Sequence, residues 1–206
     1  MITLLHTAQA HADTFDALRD RIAPDAKLVH LVRPDFLDRA QGGIDTALAG
    51  DIDALVRAAA GPVLCTCTTI GAVAGDAGAI RIDAPMMQAA AQTAAQTGGP
   101  VLLVYCLDST AAPSGDLLQS ALDVAGVTAP FQTLHLGRFW ALFQAGEHDA
   151  FRAVIAAAVK AYVKDHPDIS AVVLAQASMA GAATMLDDLS MPVFASPELA
   201  LRAVLG

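Results

Sequence analysis

The sequence predicts an α/β fold of two pseudo-symmetric lobes, each a parallel sheet flanked by helices, with the active site in the cleft between them. Three observations lead there. Short apolar, β-branched runs alternate with longer segments of helical spacing, the pattern of parallel sheets with right-handed crossovers. The alternation breaks at Gly98-Gly99-Pro100 and then begins again. The two halves also match. Residues 63–69 and 172–178 are each an apolar run ending in small polar residues, while Ile82-Asp83-Ala84-Pro85-Met86 and Phe194-Ala195-Ser196-Pro197-Glu198 each leave a strand and open a helix. The expected lobes are residues 1–97 and 98–194, with a closing helix at 195–206 able to pack back on the first.

In order, residues 2–7 read as a strand, followed by a helix from Asp13 with Phe15, Leu18 and Ile22 at helical spacing. Residues 28–32 form a second strand, stopped by Arg33-Pro34 because the residue before proline is pushed out of helical geometry. The polar stretch 35–48, broken by Gly42-Gly43, reads as a loop or poorly formed helix. A helix at 51–60 and a strand at 63–67 follow, then a short strand at 80–82 and a helix to Thr97 with Pro85 in its first turn. After the seam come a strand at 101–106, a helix at 114–124, a strand at 131–136, a long helix at 147–165 and a strand at 171–175. The last strand ends at Phe194 and leads into the closing helix.

Composition narrows the function. The 206 residues are 55% hydrophobic and 16% charged, which argues for a packed domain rather than disorder. Mean hydropathy is positive largely through alanine, and no window holds the roughly 20 uninterrupted apolar residues of a spanning helix. The net charge of −9, without a basic cluster, predicts no nucleic-acid partner and no membrane-surface partner. Met1-Ile2-Thr3-Leu4-Leu5 has no basic region or long apolar core before it, so no signal peptide is expected. Three cysteines in apolar runs read as reduced thiols, and the expected location is cytoplasmic.

The chemistry-bearing stretch is Gly61-Pro62-Val63-Leu64-Cys65-Thr66-Cys67-Thr68-Thr69-Ile70-Gly71. A strand that ends there and turns into a helix sets a sulfur and two hydroxyls beside unpaired backbone N–H groups, which bind carboxylates and lower a thiol pKa. Cys67 is therefore the candidate acid/base, and Thr68 and Thr69 are candidate substrate contacts that serve equally as helix caps. Cys65 and Cys106 read as core. His6, ending the first strand beside Thr7, is expected to open onto the same cleft and exchange a proton near neutral pH, or else to be a hydrogen-bonded strand-end histidine. Cys-x-Cys without a second ligand pair makes a metal site weak, and none is assigned.

The motifs together resemble the aspartate/glutamate/hydantoin racemase superfamily along essentially the whole chain. Cys67-Thr68-Thr69 is similar to the family's first-lobe cysteine motif, and Asp83-Ala84-Pro85-Met86 to the segment after the next strand. Asp108-Ser109-Thr110, followed by Pro113-Ser114, is similar to the second lobe's hydroxyl-rich loop. The resemblance implies two lobes and proton transfer without pyridoxal phosphate or any other cofactor. It also implies a small carboxylate substrate and an assisting role for the polar residue at His6. It places Thr7, Ser109, Thr110, Gln176, Ala177 and Ser178 at the substrate, and a homo-oligomer is compatible with it.

The family's second cysteine is expected where the sequence reads Leu174-Ala175-Gln176-Ala177-Ser178-Met179, which puts Gln176 in its place. An amide does not exchange protons as a thiol does. Three readings stay open: a racemase or isomerase in which His6 or a bound water replaces the missing thiol, a single-cysteine decarboxylase of a malonate-type acid, or a carboxylate-binding protein without turnover.

Overall fold

A computed structural model describes all 206 residues of the chain. Strand β1 (Ile2–His6) is followed by helix α1 (Gln9–Ile22), which buries Ala12, Phe15 and Leu18 and ends with Arg19 and Arg21 in its last turn, as the negative end of a helix dipole favours. Then come β2 (Leu28–Val32), α2 (Pro34–Ala40), α3 (Thr46–Ala58), β3 (Val63–Cys65), α4 (Thr68–Asp76) and β4 (Ile80–Arg81). The stretch expected as loop contains α2, started by Pro34 at its first position where the fixed φ suits a helix, and the first turn of α3. Gly43 at φ 104° turns the chain between them, and Asp45 caps α3 by accepting the Leu48 N–H at 2.7 Å.

The second half repeats the scheme. It comprises α5 (Ala84–Thr97), β5 (Val101–Tyr105), α6 (Asp108–Val124), β6 (Gln132–His135), α7 (Trp140–Gln144), α8 (His148–Asp165), β7 (Ala171–Leu174), β8 (Val193–Ala195) and α9 (Ser196–Leu205). A 3-10 turn at Gly137–Phe139 precedes α7, and a 3-10 helix at Ala177–Leu186 follows β7. One expectation is corrected: Asp108-Ser109-Thr110 is not a loop but the first turn of α6, which runs through Pro113.

All strand pairs are parallel. The two four-stranded sheets have the orders β2-β1-β3-β4 and β6-β5-β7-β8, which are the same topology. The internal duplication inferred from matched segments is thus present in the strand order. By contacts the chain divides into unit 1, Met1–Pro85 with Pro197–Gly206, and unit 2, Met86–Ser196. In unit 1, Leu5, Val63, Cys65 and Cys67 join Phe36, Leu48, Ile52 and Ile70 in one apolar cluster. In unit 2, Leu102, Val104, Val172 and Leu174 pack with Phe151, Ile155 and Val159 of α8. At the seam a Cβ on Gly99 would collide with the Asp168 carbonyl, so only glycine fits there. No helix is long and apolar enough to cross a membrane.

Candidate active site

Parallel sheets bring chemistry to the carboxyl ends of their strands, and in unit 1 the ends of β1 and β3 lie side by side. Leu5 pairs with Cys65, so His6 and Thr66 follow side by side on one face of the sheet. The other face carries Leu5, Cys65 and Cys67 into the apolar cluster. Cys67 occupies the cap position of α4 with extended backbone, and its side chain makes no capping hydrogen bond. Thr68 and Thr69, both partly exposed, form the first turn of that helix. The first-turn N–H groups of α4 have no partner within the helix, so hydroxyls and amides share that helix end, while the Cys67 side chain packs into the apolar cluster.

Cys67 is not the open thiol expected from sequence. It is buried at 7% exposure, although Cys65, two residues earlier, is sealed at 0%. The Cys65 Sγ–H donates to the Cys67 carbonyl at 3.5 Å, and burial pushes the Cys65 thiol up to about 12. Cys65 is core, as read from the sequence.

His6 also departs from expectation. It is fully buried and does not open to solvent. Burial, and after it the nearby His30 and His11 rings, drive its pKa down to about 3, with Asp16 opposing. It does not charge near neutral pH. It stands instead inside a chain of polar contacts. His6 Nδ1 lies 2.7 Å from Thr66 Oγ1, His6 Nε2 lies 2.8 Å from His30 Nδ1, and His30 Nε2 lies 3.3 Å from Asp16 Oδ1. The His6 and His30 rings are nearly parallel with centroids 5.1 Å apart, as their hydrogen bond requires, and Phe15 and His11 of α1 lie against His6 at 5.8 and 6.2 Å. Thr7 is buried beside it in sequence.

Unit 2 holds the remaining candidates. Register makes Gln176 the counterpart of Cys67: Val104 pairs with Leu174 as Leu5 pairs with Cys65, and each residue lies two beyond its strand. The carboxamide does structural work. Gln176 Oε1 accepts the Cys106 N–H at 2.7 Å and the Leu107 N–H at 2.9 Å, at the entry to α6. Of the residues expected at the substrate, Ala177 and Ser178 begin the 3-10 helix, Ser109 is exposed and Thr110 is buried. Ser178 Oγ is buried with no hydrogen-bond partner. Cys106 is buried, its thiol pushed up to about 11 by desolvation. His135 donates from Nε2 to the Cys106 carbonyl at 3.0 Å and stacks on Tyr105.

Sequence reasoning missed Thr66, His30, Asp16 and the Arg81–Asp83 pair. Only alternation along β1 and β2 hinted that His6 and His30 share a face. Asp83 is completely buried and takes a two-pronged contact from Arg81, Nε at 2.9 Å and Nη2 at 2.8 Å. The Arg81 stem packs over Gly71 and Gly75 of α4, which fixes that helix relative to β4.

No protein-family model matches the chain, and no curated protein matches it in sequence. Solved structures do. An aspartate racemase homologue from Pyrococcus horikoshii superposes with a TM-score of 0.65 at 16% identity, covering 99% of this chain and 96% of that one. The aspartate racemase of Picrophilus torridus gives 0.62 at 13% identity, covering 100% and 92%. Arylmalonate decarboxylase gives 0.58 at 12% identity, covering 99% and 90%. The superfamily resemblance read from the motifs therefore holds at the level of the fold.

Proposed function

We propose that the chain is a cofactor-independent enzyme that moves a proton at the carbon next to a carboxylate or similar carbonyl of a small acid, with Cys67 as acid/base. The observation that carries this reading is the place of Cys67: a sulfur at the cap of α4, two hydroxyls in the helix's first turn, and a fold matched by racemases and a decarboxylase. The positive end of the helix favours negative charge at that cap. The same end suits a substrate carboxylate, with Thr68 and Thr69 as hydroxyl donors.

As a racemase, the Cys67 thiolate removes the α-proton to leave an enediolate, and a second group returns a proton to the opposite face. That group is not Gln176, whose amide neither gains nor loses protons at ordinary pH and whose oxygen already serves two backbone N–H groups. His6, sealed from solvent and neutral near pH 7, does not reach the substrate itself, and a bound water takes that part. Thr7, Ser109, Thr110, Ala177 and Ser178 are the further substrate contacts of this reading.

The Gln176 contacts favour a second reading. In decarboxylation, carbon dioxide departs from a malonate-type acid, its bonding pair stays as an enediolate, and the Cys67 S–H protonates one face only. One thiol suffices.

The two are separated by incubating the protein in heavy water with single enantiomers of amino, hydroxy and hydantoin acids, and in parallel with substituted malonates. Deuterium entry with loss of optical purity indicates racemisation, and carbon dioxide release indicates the lyase. Full turnover in Cys67→Ala rejects both.

A further inference from the structure

We infer that Thr66, His6, His30 and Asp16 form a proton relay, in which a proton taken up at the buried Thr66 end appears as positive charge on His30 beside Asp16 while His6 stays neutral. The geometry allows two hydrogen-bond directions. In the first, the Thr66 hydroxyl donates to His6 Nδ1, His6 Nε2–H donates to His30 Nδ1, and His30 Nε2–H donates to Asp16 Oδ1. All three contacts are then satisfied with both rings neutral.

In the second direction every donor is reversed at the inner end. The Thr66 hydroxyl turns to the Leu5 carbonyl, 3.2 Å away, and accepts from His6 Nδ1–H. His6 Nε2 then accepts from His30 Nδ1–H. With His30 neutral, its bare Nε2 would face the Asp16 carboxylate, which is repulsive. The second direction is thus complete only when His30 carries both protons.

Passing between the two states adds one proton. It enters His6 at Nδ1, the proton already on Nε2 moves to His30 Nδ1, and the cation rests on His30, which is 18% exposed and 3.3 Å from Asp16. The neighbours agree with that choice. His6 is enclosed by Phe15 and His11 of α1, by His30 of β2 and by Thr66, and no carboxylate touches it. His30 has Asp16, itself half-exposed and shared with Arg19 at 3.2 Å. Burial, which drives His6 down to about 3, forbids charge where the relay does not need it.

What the relay serves rests on the proton-transfer reading given above, since Thr66 lies in the link between β3 and the α4 cap at Cys67. The relay itself is tested without substrate. Long-range proton–nitrogen spectra of the ¹⁵N-labelled full chain, taken from about pH 9 to about pH 5, report each ring's tautomer. The expected result is a His6 that carries its proton on Nε2 at high pH and on Nδ1 at low pH, switching in step with protonation of His30. A His6 that keeps one tautomer throughout, or that becomes a cation in that step, overturns the inference. His30→Gln keeps a donor and an acceptor but holds no extra proton, and is expected to lock His6 in one tautomer. Asp16→Asn, at the surface and harmless to folding, is expected to move the switch to lower pH. A switch unchanged in both variants also overturns the inference. Loss of turnover in Cys67→Ala leaves these spectra unaltered, so the relay and the thiol chemistry fail separately.

Discussion

The carboxamide oxygen of Gln176 lies 2.7 Å from the backbone nitrogen of Cys106 and accepts its proton, together with that of Leu107. The residue that is the register counterpart of Cys67 is thereby a clamp between the end of β7 and the entry to α6.

Truncating that clamp should therefore cost stability before it costs chemistry. Gln176→Ala leaves two N–H groups without acceptors, at about 1–3 kcal/mol each when buried. Gln176→Cys, which restores a thiol, is expected to lose nearly as much, because sulfur is a weak and short-reaching acceptor. Gln176→Glu keeps both bonds and adds charge near the start of α6, where a helix tolerates it. Melting temperatures should rank wild type and Gln176→Glu above Gln176→Cys and Gln176→Ala. Equal values for all four would remove the clamp from the account.

The buried thiols set an alkaline limit. Their ordinary value is 9.0, and in the fold Cys65 is held near 12 and Cys106 near 11. The unfolded chain loses these protons first. The stability they supply is complete below about pH 9 and is lost as pH rises through the folded values, at about 1.4 kcal/mol per pH unit for each thiol. Urea unfolding from pH 8 to pH 11 should show that decline, flattened in Cys65→Ala and Cys106→Ala whatever their lower starting stability. A decline just as steep in the double variant would refute the assignment. In the folded protein, iodoacetamide should modify Cys67 ahead of the other two, read by peptide mass spectrometry.

Arg81 and Asp83 make the third prediction. Asp83 is wholly buried and Arg81 is 14% exposed, so removing the carboxylate takes two charge-assisted hydrogen bonds from a largely desolvated guanidinium. Asp83→Ala should cost about 3–5 kcal/mol. Arg81→Lys should cost less, since an ammonium keeps the charge but not the fork. Because the Arg81 stem seats Gly71 and Gly75 of α4, Arg81→Lys should also slow whatever reaction Cys67 performs. Unaltered melting in Asp83→Ala would show the pair to be dispensable.

Much of the architecture could be read in the residues because its signals are local. Gly98-Gly99-Pro100, the β-branched runs and Pro85 announce their elements within a few positions. Errors came where a local signal pointed the wrong way. The hydroxyl-rich Asp108-Ser109-Thr110 suggested a loop before a helix at 114–124, whereas α6 begins at Asp108 and runs through Pro113. Gly42-Gly43 suggested a loop throughout, yet the helix opened by Pro34 precedes it. The polar chain could not be anticipated at all. Its contacts span 60, 24 and 14 residues, and strand alternation fixes a side chain's face without fixing its partner. Cys67 was found from its neighbours in sequence, but its burial depends on Phe36, Leu48 and Ile52, which come from other elements.

Unit 1 is written in two pieces, its first 85 residues and the ten from Pro197, which enclose all of unit 2. Arg21 of α1 reaches across that interval to Glu198 at 2.7 Å, and Ala200 and Leu201 are fully buried. Closing so wide a loop is slow by entropy alone. During synthesis the half that carries Cys67 and the imidazole pair waits for the chain's final helix, while the half holding Gln176 is already continuous.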